Sequence, residues 1–208
     1  MKRIPGLLGL LGLCFSVIFG PSAGAADLAP DVLVKDVTSE VLDIVRKDKD
    51  IRNGNTPKVL ELVETKVVPH FNFARMTRLA LGRDGKQATP AQMTTLVEEF
   101  RTLLVRTYSK ALSEYRDQEI VYKPLKMAPT DTDVKVRTEI RQSGGKPVQL
   151  DYYLEKTAAG WKVYDMEVGG VSLVTNYRSS FSQEIRANGI DGLIHSLQAK
   201  NKTDPAKK

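Results

Sequence analysis

The sequence predicts an α+β fold in which a four-stranded antiparallel meander packs against several helices. Three changes of pattern along the chain indicate this fold. Apolar residues first recur at helical spacing, and after Asp117 they alternate with polar residues, as in strands that bury one face. After Gly169-Gly170 the spacing is helical again, since two residues without Cβ permit a sharp turn. Helices before and after an antiparallel sheet are typical of an α+β domain whose helices lie on one face of the sheet.

The start of the chain has the pattern of a signal peptide. Two basic residues are followed by an apolar run over residues 7–19 and by the small-residue cleavage site Ala23-Gly24-Ala25. The apolar run is shorter than the roughly 20 residues that a membrane-spanning helix needs. Lipoprotein processing at Cys14 is disfavoured because the preceding Leu13 is bulky. We therefore expect an exported protein.

The rest of the chain is expected to form one domain. A length of 208 residues allows one sizeable core, and no internal repeat or linker divides it. The predicted division is a signal peptide at residues 1–25, a single domain at 26–199 and a disordered basic tail at 200–208.

Composition and charge exclude several function classes. The formal net charge of +6 comes mostly from the two ends, and the predicted domain carries about +1, so a nucleic-acid surface is not expected. The only cysteine, Cys14, leaves with the signal peptide, which removes disulfides and thiolate chemistry. His70 and His195 lie far apart in sequence, so a metal site is not expected.

Enzymatic motifs are equally scarce. The chain has no P-loop, no GxGxxG and no GxSxG. Asp165 and Glu167 lie two residues apart and could act as an acid–base pair. The alternatives are that they are ordinary carboxylates at a sheet edge, or that one of them pairs with the nearby Arg178. We interpret the chain as a binding protein without an enzymatic activity and without a cofactor.

Helical periodicity predicts five helices. Thr56 is the expected N-cap of the second helix, with Pro57 at its first position, and Thr89 with Gln92 forms the expected capping box of the longest. That longest helix would measure roughly 40 Å at 1.5 Å per residue. The predicted ranges are 30–46, 56–69, 71–81, 89–115 and 190–197, and a further helical pattern follows the glycines through Val171, Val174, Phe181 and Ile185.

Alternation predicts the four strands. Ile120 and Tyr122 begin the first, and the last runs from Trp161 towards the glycines. Ser143-Gly144-Gly145-Lys146 is a hairpin turn between the second and third strands. The inward-facing residues of these two strands are Val134, Val136, Thr138 and Ile140, and then Val148, Leu150, Tyr152 and Leu154.

Four stretches of the chain together form a specific pattern: VVPHFNFARMTRLALG, ATPAQMTTLVEEFRTLLVRTYSKAL, YDMEVGGVSLVTNYRSSF and NGIDGLIHSLQAKN. In their order and spacing they resemble the MlaC (toluene-tolerance) family of periplasmic phospholipid carriers. Family members often carry an aromatic residue just before the ATP tripeptide, where this chain has residues 83–87, RDGKQ. That departure puts the contacts of this loop in doubt and leaves the resemblance intact.

The resemblance implies a function in lipid transport. It implies a deep apolar cavity between sheet and helices that takes the acyl chains of a phospholipid and leaves the head group near solvent. It also implies two partners: an outer-membrane lipoprotein–porin complex, and an inner-membrane ABC transporter complex with a periplasmic ring. The chain would shuttle diacyl lipid between the two membranes, as a monomer, and so maintain the lipid asymmetry of the outer membrane.

Strand alternation and helix stripes select the residues expected to line this cavity. They are Phe73, Met76, Phe100, Leu103, Leu104, Tyr108, Val136, Ile140, Leu150, Tyr152, Met166, Val168, Val171, Val174 and Tyr177.

Two other function classes stay open from the residues alone. A filled core and a cavity use the same apolar residues, so the chain could be an exported scaffold or interaction protein. A lipid hydrolase is disfavoured by the missing nucleophile and base.

Overall fold

The computed structural model describes residues 28–202 and confirms the α+β fold. The predicted signal peptide, and the predicted tail from residue 203 onward, lie outside the described residues. The α-helices are α1 (Pro30–Lys47), α2 (Lys49–Arg52), α3 (Thr56–Leu62), α4 (Phe73–Leu81), α5 (Pro90–Tyr108), α6 (Lys110–Ser113) and α7 (Leu173–Lys202). The strands are β1 (Glu119–Tyr122), β2 (Asp133–Arg141), β3 (Val148–Thr157), β4 (Gly160–Val168) and β5 (Val171–Ser172). A π-helical turn (Val63–Val67) and 3-10 turns (Val68–His70 and Asp84–Gln87) complete the helical segments.

The strands form one antiparallel sheet in the order β1-β2-β3-β4-β5. The first four strands are the predicted meander, and the short β5 was not predicted. Gly169 and Gly170 both have positive φ, 57° and 85°, and they turn the chain so that Val171 pairs with Val168. The sequence assigned Val171 to a helix, and this was wrong because the two glycines close a hairpin before α7 begins.

Two helix boundaries also differ from the prediction. Asn55, not Thr56, caps α3, because its side-chain oxygen accepts a hydrogen bond from the Lys58 N–H at 3.2 Å. The longest predicted helix ends at Tyr108 and is followed by the separate α6. The chain turns there because α5 and Tyr115 pack in two different apolar clusters. The predicted capping box of Thr89 and Gln92 is confirmed.

Three apolar clusters make up the core. The helix cluster joins α4, α5 and α7, and its most buried members are Met76, Ala80, Leu81, Leu96, Phe100, Val174 and Leu197. The sheet cluster joins α1 to the sheet through Val34, Val134, Val136, Leu154, Trp161 and Val163. A third cluster packs the second half of α1 against α2, α3 and Tyr115. Among the described residues, Phe71 alone packs against both the helix cluster and the sheet cluster.

Among residues 28–202, no helix combines the length and the apolar composition required to span a membrane. α7 continues to Lys202, three residues beyond the predicted end of the domain. The Asn201 side chain donates hydrogen bonds to the Glu99 carbonyl and carboxylate at 2.9 and 2.8 Å. These bonds attach the C-terminal turn of α7 to α5.

Candidate functional site

Burial falls along the apolar face of the sheet, which we call the inner face. At one end, Val134 of β2 pairs with Leu154 of β3, which pairs with Val163 of β4, and all three side chains are buried. One step further along, Tyr152 and Met166 are partly buried. At the other end Leu150 pairs with Val168, whose side chain is 40% exposed. The apolar inner face therefore extends beyond the helices that pack against it.

Two sets of helices pack against the sheet. α1 contacts β2 through the sheet cluster, whereas α4 and α7 contact β4. At the β4 edge Phe71 forms a bridge with Val163, and the Asn72 N–H donates to the Val163 carbonyl at 2.8 Å. We call the partly exposed apolar residues that remain the open end of the inner face: Ile140, Leu150, Tyr152, Met166 and Val168.

A buried carboxylate fixes the corner where β4 leads into α7. Asp165, 9% exposed, accepts hydrogen bonds from the Met166 N–H at 2.8 Å, the Val174 N–H at 3.1 Å and the Ser172 hydroxyl at 2.5 Å. The Ser172 hydroxyl in turn accepts from the Thr175 N–H at 3.0 Å. Asp165 and Ser172 thus satisfy the first N–H groups of α7, which have no partner within the helix.

The neighbouring carboxylate, Glu167, lies on the same face of β4 but belongs to a separate network. It accepts a hydrogen bond from the Tyr153 hydroxyl at 2.6 Å and pairs with Lys135 at 3.2 Å. The bond from Tyr153, with the Lys135 charge, lowers the pKa of Glu167. Because Asp165 and Glu167 serve separate networks, the acid–base hypothesis is not supported. The predicted pairing with Arg178 is wrong, since Arg178 donates to the Leu79 carbonyl at 2.9 Å.

The outer face of the sheet carries a network of charges that holds α4 in place. Arg75 of α4 pairs with Asp133 and Glu155, each at 2.7 Å. Its guanidinium lies 3.4 Å from the ring centroid of Tyr164, which adds a cation–π contact. Tyr164 of this face also packs against the helix cluster, but most side chains of the face are charged, so the more apolar inner face is the candidate site.

The structure divides the residues predicted to line a cavity into four groups. Phe73, Met76, Phe100, Leu103, Leu104, Val174 and Tyr177 pack in or against the helix cluster, and Val136, Tyr152 and Met166 in or against the sheet cluster. Ile140 and Leu150 are partly buried at the open end. Tyr108, Val168 and Val171 are 38%, 40% and 56% exposed. The structure therefore brings five of the predicted residues to the open end and packs seven in the helix layer. Val136 is buried in the sheet cluster, and Tyr108 and Val171 are exposed and are not part of the open end.

The predicted deep cavity is not found among the described residues. The two best-defined clefts, of about 370 and 320 Å³, lie elsewhere. One is on the outer face beside Lys123, Arg137 and Glu139, and the other lies beside Arg46 and Tyr115. Residues 28–202 also contain no cluster of three His, Cys, Asp or Glu side chains able to hold a metal ion.

Two residues that shape the site were missed from the sequence. The sequence placed Phe71 at the start of a helix that follows Pro69 and His70. Its packing against both the helix cluster and the sheet cluster depends on tertiary structure. Asp165 lies nine residues before the N–H that it caps, so no local pattern marked it.

Comparison with known proteins gives a consistent result. The family model described as MlaC protein matches residues 35–199. The chain is 25% identical over 181 residues to the toluene tolerance protein ttg2D of Pseudomonas putida, with 86% of this chain and 84% of that protein covered. It is 24% identical over 176 residues to the intermembrane phospholipid transport system binding protein MlaC of Haemophilus influenzae, with 83% and 82% covered.

A solved structure agrees with the computed fold. It is that of a phospholipid-binding protein from Ralstonia solanacearum in complex with a phospholipid, and it is 41% identical to this chain. The TM-score is 0.76, and the match covers 82% of this chain and 96% of the other.

Proposed function

The chain belongs to the MlaC family, and from this premise we propose that it is a periplasmic carrier of diacyl phospholipid between the outer and inner membranes. The observation that carries the proposal is the match, at 41% identity, to a structure that holds a phospholipid. The open end of the inner face supports it, because it presents apolar side chains next to a β4–α7 corner rather than in a sealed core.

Transport of lipid through water requires an enclosing protein. Burial of one methylene group contributes about 0.8 kcal/mol, so exposing an acyl chain of ordinary length costs on the order of 10 kcal/mol. The head group is already stable in water and gains little from burial. We therefore place the acyl chains against the inner face, with the head group near solvent.

The acyl chains would enter between the sheet cluster and the helix cluster. These two clusters are joined by Phe71 and by the β4–α7 corner, and separating them would also open the ion pairs of Arg75 with Asp133 and Glu155. Gly169 and Gly170 lie at that corner, and glycine tolerates the dihedral changes that a hinge requires. The predicted cavity is thus proposed to form by displacement of the helix layer from the sheet.

We assign the chain a passive role, with no reaction of its own. The H. influenzae relative is named as the binding protein of a transport system, which supports a carrier that works with other components. The partners we propose are an outer-membrane lipoprotein–porin complex and an inner-membrane ABC transporter complex with a periplasmic ring. Lipid would pass directly between the apolar site of this protein and an apolar site of the partner, without exposure to water.

The experiment is organic extraction of the purified exported protein, followed by mass spectrometry of the extract. The carrier predicts diacyl phospholipid at near-stoichiometric yield. The second candidate, an exported scaffold with a filled core, predicts an empty extract, and the tight burial of Met76, Phe100 and Val174 favours that candidate. Free fatty acid with lyso-lipid would instead indicate a hydrolase. The same extraction from a variant lacking an export signal gives the control for lipid acquired in the cytoplasm.

A further inference from the structure

A cleft of about 320 Å³ beside the third apolar cluster is lined by three arginines and, among the described residues, by no carboxylate. Arg46 lies in the last turn of α1, Arg52 ends α2, and Arg116 follows α6. We call this the arginine cleft, and the proposed function has not yet used it. Its lining residues are Val45, Arg46, Arg52, Asn53, Tyr115 and Arg116.

Tyr115 fixes one side of the arginine cleft. Its side chain is buried and packs with Val45 in the third cluster. Its hydroxyl accepts a hydrogen bond from Arg46 Nη2 at 2.6 Å and donates to the Gln118 carbonyl at 2.9 Å. These bonds hold the Arg46 guanidinium at the cleft. Among the described residues Asp43, 3.1 Å from Arg46 Nη1, is the one carboxylate paired with any of the three arginines.

The other two arginines keep donors that the protein does not use. Arg52 Nη1 donates to the Arg46 carbonyl at 3.4 Å, and Arg116 Nη1 donates to the Ser113 and Tyr115 carbonyls at 2.7 and 2.8 Å. Basic side chains often satisfy the last carbonyls of a helix, and this role accounts for one nitrogen of each arginine. Nε and Nη2 of both have no hydrogen-bond partner within residues 28–202. Together they form the planar edge that binds two oxygens of one anion.

The arginine cleft lies near the strand ends of the open end. α1 starts over the covered part of the sheet, where Val34 packs in the sheet cluster, and its second half packs with Tyr115. β1 begins at Glu119, four residues after Tyr115, which is at most about 14 Å along the chain. The next residue, Ile120, pairs with Ile140 of the open end. A lipid whose acyl chains follow the inner face therefore projects its head group towards this cleft.

The charges of the cleft define the group that it takes. Guanidinium groups stay protonated at any physiological pH, so three of them beside one paired carboxylate leave an excess of positive charge. Their free edges match an anion with several oxygens. In a diacyl phospholipid that group is the phosphate, whereas a cationic head-group amine would be repelled and would point to solvent.

We propose that the arginine cleft binds the phosphate group of the carried phospholipid, with Arg52 and Arg116 as its hydrogen-bond donors and Arg46 as a fixed positive charge. The proposal rests on the proposed function, since it requires acyl chains at the inner face. It implies that the protein selects lipids that carry a phosphate over neutral diacyl lipids, whatever alcohol is attached to the phosphate.

The test is competitive loading. The purified protein exchanges its lipid with detergent micelles that contain equal amounts of phosphatidylglycerol and of diacylglycerol with the same acyl chains, and mass spectrometry measures the bound ratio. We expect about 10-fold enrichment of phosphatidylglycerol on the wild type, the scale of one charge-assisted hydrogen bond. Arg52→Gln and Arg116→Gln should each lower the ratio by about 3- to 5-fold. Arg137→Gln removes the same charge from an exposed arginine of the outer-face cleft and should leave the ratio unchanged.

Free phosphate and a membrane surface offer the same chemical group, so two further measurements separate these sources. Inorganic phosphate is titrated into each protein and followed by phosphorus NMR, and each protein is sedimented with phosphatidylglycerol vesicles. If the Arg52 and Arg116 variants weaken either interaction but keep the wild-type loading ratio, the cleft serves another source and the proposal is overturned.

The remaining outcomes separate this inference from the proposed function. Equal loading of the two lipids on the wild type, or one ratio in all four proteins, would overturn the phosphate subsite and leave the carrier intact. A wild type that loads neither lipid would overturn the carrier as well. Circular dichroism checks that the variants fold, and if Arg116→Gln does not, the exposed Arg52→Gln decides the test.

Discussion

At the scale of single residues, Asp165 is the side chain on which the β4–α7 corner depends. Its carboxylate accepts from two backbone N–H groups and one hydroxyl. Asp165→Ala leaves these donors without partners in a buried setting, so the free energy of unfolding should fall by about 2 kcal/mol. Urea denaturation measures the loss. The exposed Asp117→Ala is the control and should change stability by less than about 0.5 kcal/mol. Equal effects of the two substitutions would show that the cap contributes nothing.

A substitution of Val171, at the same corner, should affect lipid binding more than folding stability. Its side chain is 56% exposed, so Val171→Glu should change the free energy of unfolding by less than about 0.5 kcal/mol. A charge placed against acyl chains should weaken lipid binding by about 1–3 kcal/mol. Lipid content after extraction and the thermal midpoint report the two effects. Val32→Glu, at a 40% exposed valine on α1, is the matched control and should retain full lipid. A Val171→Glu protein that also retains full lipid would exclude Val171 from the site.

At the scale of elements, α7 consists of two helices joined at Gly189. The backbone there has φ 70° and ψ −174°, a conformation that is accessible almost only to glycine. Gly189→Ala should therefore lower the free energy of unfolding by about 1–3 kcal/mol, although a Cβ at this position would meet no neighbouring atom. Denaturant titration measures the loss. Gln183→Ala, at an exposed position in the first half of α7, should have little effect, and a Gly189→Ala protein as stable as the wild type would contradict the account of the kink.

Most elements of this fold could be predicted from the sequence, and the failures have a common cause. The strands from Glu119 to Val168 alternate apolar and polar residues except at the register shift between Tyr153 and Leu154, and Thr89 with Gln92 marks the start of α5 by a purely local pattern. The end of α5 and the pairing of β5 depend instead on tertiary contacts, which no local pattern encodes. The site shows the same division: alternation placed Leu150, Tyr152 and Met166 on one face of the sheet, whereas the packing of Phe71 between two clusters depends on which elements meet.

At the scale of the whole molecule, the proposed carrier should retain its lipid until it meets a partner. Exposing an acyl chain to water costs on the order of 10 kcal/mol, so spontaneous release should be very slow. Loaded protein mixed with acceptor vesicles should transfer little fluorescent lipid, and reconstituted inner-membrane transporter should accelerate transfer greatly. Vesicles that contain a transporter of unrelated specificity are the control. Equal rates with and without the partner would show that docking does not control release.

The position of the lipid is the central claim of this account, and photo-crosslinking tests it most directly. Benzoylphenylalanine is placed at Leu150, on the inner face, and in a separate protein at Gln149, its exposed neighbour on the same strand. Successive strand residues point to opposite faces, so the two probes differ mainly in the face that they sample. After irradiation of phospholipid-loaded protein, intact-mass spectrometry should find a protein–lipid adduct with the probe at Leu150 and none with the probe at Gln149. An adduct at Gln149 alone, or equal adducts at both positions, would contradict binding at the inner face.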